Sequence, residues 1–139
     1  MSKKSINVLL SNLSEENLGK AEEFIKQLLP DTMTVGGRTY KIISFPHEEE
    51  KLDDGNTMVN RAKELKANLD EKEGQHILDH QGDIPAQLRG KVLFVFTDWR
   101  HPVYSEEIAC VCWDGGCWVQ DWRWIGRDWN GDDRVLRCE

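Results

Sequence analysis

The sequence predicts an α+β fold in a single domain that spans residues 1–139. The chain has 139 residues and is 39% hydrophobic, which is enough apolar material for one core. Helical repeats lie in the first two thirds, and the segments after Pro102 alternate as strands do. We therefore expect an N-terminal β-α-β-β-α half, then a strand and a C-terminal antiparallel β-meander, with the helices packed on one face of the sheet.

The first strand and helix are predicted from a short apolar run and a helical repeat. Residues 6–10 form the apolar run, which is typical of a buried strand. Asn12 or Ser14 can then cap a helix whose apolar residues recur at helical spacing. Pro30 ends that helix, because proline cannot continue the hydrogen-bond pattern.

A hairpin and a second helix follow. Residues 32–35 and 38–45 are rich in β-forming residues and flank Gly36-Gly37, the pattern of a two-residue hairpin turn. After an acidic stretch, Asn56 or Thr57 caps a helix that we expect to end at Gly74. A glycine and a proline interrupt residues 75–90, which therefore predict one or two short helical turns.

The last third of the chain is predicted to be strands. Residues 91–97 are the clearest strand, and the later segments have strand patterns at 108–113, 117–125 and 134–138. A turn lies at residues 114–116, with two possible registers. A Gly115-Gly116 turn places Trp113 opposite Trp118, whereas an Asp114-Gly115 turn places Cys112 opposite Cys117.

All six tryptophans lie between Trp99 and Trp129. Most of them are expected to fill the core, because an indole buries a large apolar area. Trp99 and Trp129 stand among polar residues, so we expect these two to be exposed. Tryptophan and arginine are common at interface hot spots, and the sequence therefore predicts a binding surface. Its candidate residues are Trp99, Arg100, Trp122, Trp124, Arg127 and Trp129.

Charge and hydropathy exclude several function classes. The net charge is −7, so the basic footprint of a non-specific nucleic-acid binder is absent. The longest apolar run, at 92–96, is far shorter than the roughly twenty residues of a membrane-spanning helix. We expect a cytoplasmic interaction module that binds another protein and needs no cofactor, and the question of enzymatic activity stays open. The oligomeric state stays open, as does mimicry of a nucleic acid by aligned carboxylates.

The alternative hypothesis is a metal-assisted hydrolase. Asp98 ends an apolar strand and is followed by His101, and acid–base groups often lie at strand ends. The acidic loop from Asp128 to Asp133 would supply the metal ligands. Asp128, Asn130, Asp132 and Glu139 match positions 1, 3, 5 and 12 of a calcium loop. Asp133 occupies the position that requires glycine, so we favour an Asx-rich turn.

The cysteines and two histidines are weaker metal candidates. Cys110, Cys112, Cys117 and Cys138 lack the paired C-x2-C spacing of zinc sites, so we expect small buried thiols. His76 and His80 share a helical spacing without the glutamate of a zinc-protease motif, and we expect a solvated pair.

Overall fold

A computed structural model describes residues 29–44, 55–127, 129 and 131–139 of the chain. The described helices are α1 (Gly55–Glu64) and α2 (Glu71–Asp79), followed by 3₁₀ turns at Gln81–Asp83 and Ala86–Leu88. The strands are β1 (Thr32–Val35), β2 (Arg38–Ser44), β3 (Leu93–Arg100), β4 (Glu107–Asp114), β5 (Cys117–Trp124) and β6 (Asp133–Cys138). The α+β class is confirmed. The strand predicted at 6–10 and the helix predicted to end at Pro30 lie outside the described residues.

The six strands form one mixed sheet in the order β1-β2-β6-β3-β4-β5. Strands β3, β4 and β5 form the predicted antiparallel meander. Strand β6 does not continue it, because β6 lies antiparallel to β2 and parallel to β3. Val135 and Leu136 are adjacent on β6 and both fully buried. Since neighbours on a strand point to opposite faces, β6 is covered on both sides and belongs in the middle of the sheet.

The two described helices cover opposite faces of the sheet, so the prediction that the helices pack on one face is wrong for them. Helix α1 packs Met58 and Ala62 against Val95 of β3, whereas Ile77 of α2 belongs to the core around Phe94 and Phe96. The cause is the apolar run of β3, which presents apolar side chains on both faces. Each face then needs its own cover.

Both hairpin turns use glycines with positive φ. Gly115 and Gly116 have φ of 61° and 90°, and Asp114 pairs with Cys117. Trp113 therefore stands opposite Trp118, and the Cys112–Cys117 register is wrong. The predicted Gly36-Gly37 turn is confirmed in the same way, with φ of 56° and 79°.

The helix predicted to end at Gly74 ends at Glu64 instead, and a separate helix, α2, begins at Glu71, so that prediction is wrong. Asp70 caps it, because the Asp70 carboxylate accepts a hydrogen bond from the backbone N–H of Glu73 at 3.2 Å. Gly74 is thus an interior helix residue, and it is buried. The short helical turns predicted within 75–90 are confirmed as the two 3₁₀ turns.

A hydrogen-bonded group fixes α2 on β2. The Tyr40 hydroxyl donates to Glu73 Oε2 at 2.6 Å, and Arg38 donates to Glu73 Oε1 at 2.8 Å. Tyr40 is fully buried. Burial, together with the carboxylate of Glu73, raises the pKa of Tyr40.

Candidate binding site

Trp99 is buried, with 5% of its surface exposed, so the expectation that it is exposed is wrong. Its ring packs edge-on against Phe96 and Trp122, with centroids 6.0 Å away in both cases. Gly74 makes room for it, since a Cβ atom at Gly74 would stand 2.4 Å from the ring. The buried position of Trp99 therefore depends on a glycine of α2 that is remote in the sequence.

Trp129 is also buried, with 1% exposed, and the expectation of exposure is wrong here too. Its indole N–H donates to the Ile125 carbonyl at 3.0 Å, and the Arg127 guanidinium lies 5.1 Å from the ring centroid. The ring joins Met58 and Ala62 of α1 in the second core. The polar residues next to Trp129 in the sequence therefore did not indicate whether its side chain is buried or exposed.

Trp113 and Trp118 form an edge-to-face pair at the hairpin end of β4 and β5. Their centroids are 5.7 Å apart, and Arg89 lies 4.6 Å above Trp113. Strand β5 is an edge strand, and Gln81 covers its backbone here. The Gln81 amide donates to the Trp118 carbonyl at 3.1 Å and accepts from the Trp118 N–H at 2.8 Å. The backbone N–H and carbonyl of Trp118, at this end of the edge strand, are therefore hydrogen-bonded within the chain.

The exposed aromatic side chains lie at the other end of the same strands. In the described part of the chain, the large hydrophobic residues with exposed side chains are Val103 (75%), Tyr104 (64%) and Trp124 (58%). The His101 ring links them to the core, with its centroid 5.1 Å from Tyr104 and 4.9 Å from the half-buried Trp122. We call His101, Val103, Tyr104, Trp122 and Trp124 the aromatic corner.

The loop that carries Val103 and Tyr104 is held by internal hydrogen bonds. His101 Nδ1 accepts from the backbone N–H groups of both residues at 3.0 Å. The Arg100 guanidinium donates to the carbonyls of Thr97 and Ser105, each at 3.0 Å. The loop is therefore a defined surface, and Arg100 supports it from within.

Trp124 is positioned by its own turn. A Cβ atom at Gly126 would stand 2.7 Å from Trp124 Cζ2, so the indole lies against that glycine. The Arg127 N–H donates to the Trp124 carbonyl at 3.1 Å, and the Ile125 N–H donates to the Glu106 carbonyl at 2.8 Å. The bond from Ile125 joins the end of β5 to the loop that carries Val103 and Tyr104.

The predicted binding residues thus divide into two groups. Trp122 and Trp124 belong to the aromatic corner, and Trp99 and Arg100 support it from below. Arg127 and Trp129 stack together on the opposite face. Sequence reasoning missed Val103 and Tyr104. The signal was an apolar pair directly after Pro102, in a segment too polar for a buried strand.

Asp98 and His101, the catalytic candidates of the hydrolase hypothesis, each have a separate structural partner. Asp98 Oδ2 accepts from the Asn68 amide at 2.9 Å, whereas His101 uses Nδ1 to hold its own loop. Asp132 precedes β6 and Glu139 follows it, so about 20 Å of extended chain separates them. The calcium-loop alternative is therefore wrong for this pair. Asp128 and Asn130 lie outside the described residues, and among those described no group of three or more His, Cys, Asp or Glu could hold a metal.

The cysteines only partly match the expectation of buried thiols. Cys110 is buried and Cys112 is half-buried, but Cys117 and Cys138 are exposed at strand ends, and all four are free thiols. Burial raises the pKa of the Cys110 thiol, and nearby Asp133 raises it further. Burial also raises the pKa of Cys112. Both groups are therefore protonated and poorly nucleophilic at neutral pH.

The histidine pair anchors the first hairpin. His76 Nε2 lies 3.0 Å from the Val35 carbonyl, and the rings of His76 and His80 are 4.6 Å apart. His80 is exposed, whereas His76 is half-buried against Gly36, so the prediction of a solvated pair holds for His80 only.

No protein-family model, curated protein or solved structure matches this chain. Within the described residues, no helix is both long and apolar enough to cross a membrane.

Proposed function

We propose that this chain is a small binding module whose aromatic corner docks a peptide segment of a partner protein. The observation that carries the proposal is the exposure of Val103, Tyr104 and Trp124 at the same end of β4 and β5, where the Ile125 N–H donates to the Glu106 carbonyl of the loop. Tryptophan and tyrosine are enriched among the residues that contribute most to protein–protein affinity.

The size of the surface favours a peptide over a folded domain. A fully buried aromatic side chain removes roughly 150–250 Å² from water, so the corner offers on the order of a few hundred Å². A stable interface between two folded proteins buries about 800 Å² on each partner. A short extended segment matches the smaller area.

Pre-organisation supports the same proposal. The hydrogen bonds that His101 and Arg100 make to the loop hold it before any partner binds. A loop already fixed loses less conformational entropy on binding, which favours affinity. The four free thiols support the accompanying proposal of a reducing, cytoplasmic location.

Selection from a phage-displayed random peptide library tests the proposal. Peptides enriched on the wild-type protein are expected to shift the indole ¹H–¹⁵N signals of Trp124 and Trp122, with the signals assigned by single Trp→Phe variants. Trp124→Ala and Tyr104→Ala are expected to weaken binding about tenfold or more, the size of a hot-spot loss.

Val119→Ala is the matched control, because Val119 lies on β5 outside the corner. It is expected to leave the affinity unchanged. Selected peptides that bind Trp124→Ala and Tyr104→Ala as well as the wild type would contradict the proposal, and so would a library that yields no binder.

A further inference from the structure

We infer that the segment docked by the aromatic corner carries arginine. This inference rests on the proposed function and specifies the chemistry of its partner. It follows from which charged groups of the described residues are already paired, and from which indoles already have an arginine over the ring.

The arginines near the corner are engaged within the protein. Arg100 donates to two backbone carbonyls, Arg123 pairs with Asp121 at 3.3 Å, and Arg127 lies over Trp129. Their positive charge is therefore directed at this chain's own groups rather than at a ligand.

Two carboxylates beside the aromatic corner form no ion pair within the described residues. Glu106 and Glu107 lie on the corner's loop and at the start of β4, and the described residues include no ion pair to either. Glu107 stands directly opposite Trp124 in the antiparallel register. Side chains opposite each other on neighbouring strands lie within about 5.5 Å at Cβ, so a free carboxylate flanks the exposed indole.

The chain itself shows which cation its indoles accept. Arg89 stacks over Trp113 at 4.6 Å, and Arg127 stacks over Trp129 at 5.1 Å. Trp124 has no cation over its ring among the described residues, although 58% of it is exposed. A guanidinium stacks on an aromatic face and also bonds a carboxylate, so arginine satisfies Trp124 and Glu107 together. The net charge of −7 attracts such a segment from a distance.

The experiment compares short glycine–serine peptides that carry several arginines, lysines or glutamates. Binding is followed through the indole signal of Trp124 in the full-length protein. We expect the arginine peptide to shift this signal and to bind about threefold tighter than the lysine peptide, with no shift from the glutamate peptide.

Two charge-matched double variants separate local from overall charge. Glu106→Gln/Glu107→Gln is expected to weaken the arginine peptide about threefold or more, whereas Glu64→Gln/Glu71→Gln, which changes exposed carboxylates on α1 and α2, is expected to leave it unchanged. Equal weakening in both variants, or equal binding of the lysine or glutamate peptide, would overturn the inference.

The outcome also separates this inference from the proposed function. If library peptides bind at the corner and arginine peptides do not, the arginine preference is wrong and the binding module stands. If no peptide of either kind shifts the Trp124 signal, both are wrong.

Discussion

Trp124 and Trp129 are five positions apart and have opposite roles. Trp124 is exposed over Gly126, whereas Trp129 is buried between Arg127 and α1. Only the tertiary contacts separate them, because both have charged residues nearby in the sequence. One is therefore available for a partner, and the other is part of the core.

Alanine substitution of each indole should expose this difference. Trp129→Ala is expected to lower the free energy of unfolding by about 3–5 kcal/mol, because a large buried ring leaves a cavity. Trp124→Ala is expected to lower it by about 1 kcal/mol or less, as is usual for exposed positions. Urea unfolding followed by circular dichroism measures both.

If Trp129→Ala does not fold, Trp129→Phe replaces it. Phenylalanine keeps most of the apolar volume but loses the N–H bond to Ile125, so a smaller loss of about 1–2 kcal/mol is expected. Equal stability of the Trp124 and Trp129 variants would contradict the assignment of the two indoles.

The contact between α2 and β3 depends on Gly74. Alanine is the better helix former by about 1 kcal/mol, so Gly74→Ala would stabilise an isolated helix. Here the added Cβ would stand 2.4 Å from the buried Trp99 ring. We expect a net loss of about 1–3 kcal/mol in the free energy of unfolding, as for other overpacked cores.

Gly82→Ala is the control for this prediction. A Cβ atom at Gly82 meets nothing within 4 Å, and its backbone φ is not positive. This variant is expected to be neutral or to gain up to about 1 kcal/mol through the unfolded chain. Thermal unfolding of both variants measures the difference. A Gly74→Ala protein as stable as Gly82→Ala would show that the Trp99 ring can move to admit the added methyl group without loss of stability.

The hairpins could be predicted from sequence because their cause is local. Gly36-Gly37 and Gly115-Gly116 supply the positive φ values that two-residue turns require. The position of β6 could not be predicted in this way. Its place between β2 and β3 depends on pairing with strands far away in the sequence, and its own pattern shows only that Val135 and Leu136 are both apolar.

The candidate site was predictable in part. Alternation along β5 places Trp118, Trp122 and Trp124 on one face, and the first two do contact the same core. Which of these indoles stays exposed depends on how far the elements packed on this face of the sheet extend along β5. Helix α2 and the 3₁₀ turns cover the hairpin end, and the loop at 101–106 lies beside Trp124 instead.

The sheet is covered on both faces, and each of the two resulting cores buries an ionisable group. Tyr40 is fully buried in the core under α2, and Cys110 is fully buried in the core under α1. Burial raises the pKa of both groups, so the folded protein favours their neutral forms. Both cores are therefore expected to lose stability in alkaline solution.

The order of this loss follows from the ordinary pKa values. A group whose folded-state pKa is raised stabilises the fold fully below its unfolded-state pKa, and that contribution falls as the pH rises. The ordinary values are 9.0 for Cys110 and 10.0 for Tyr40. The free energy of unfolding is therefore expected to fall by about 1.4 kcal/mol per pH unit above pH 9 through Cys110, and the half-buried Cys112 adds to this fall. The fall becomes steeper still above pH 10, where Tyr40 contributes.

Urea unfolding under reducing conditions, from neutral pH to about pH 10.5, measures this dependence. Cys110→Ala is expected to reduce the fall between pH 9 and 10 to the part contributed by Cys112, and Tyr40→Phe to remove the added steepness above pH 10, although each lowers stability at neutral pH. Cys117→Ala changes an exposed thiol and is expected to keep the wild-type profile. A Cys110→Ala profile parallel to that of Cys117→Ala would show that the buried thiol ionises as easily in the folded protein as in the unfolded chain, and hence that the core under α1 admits water.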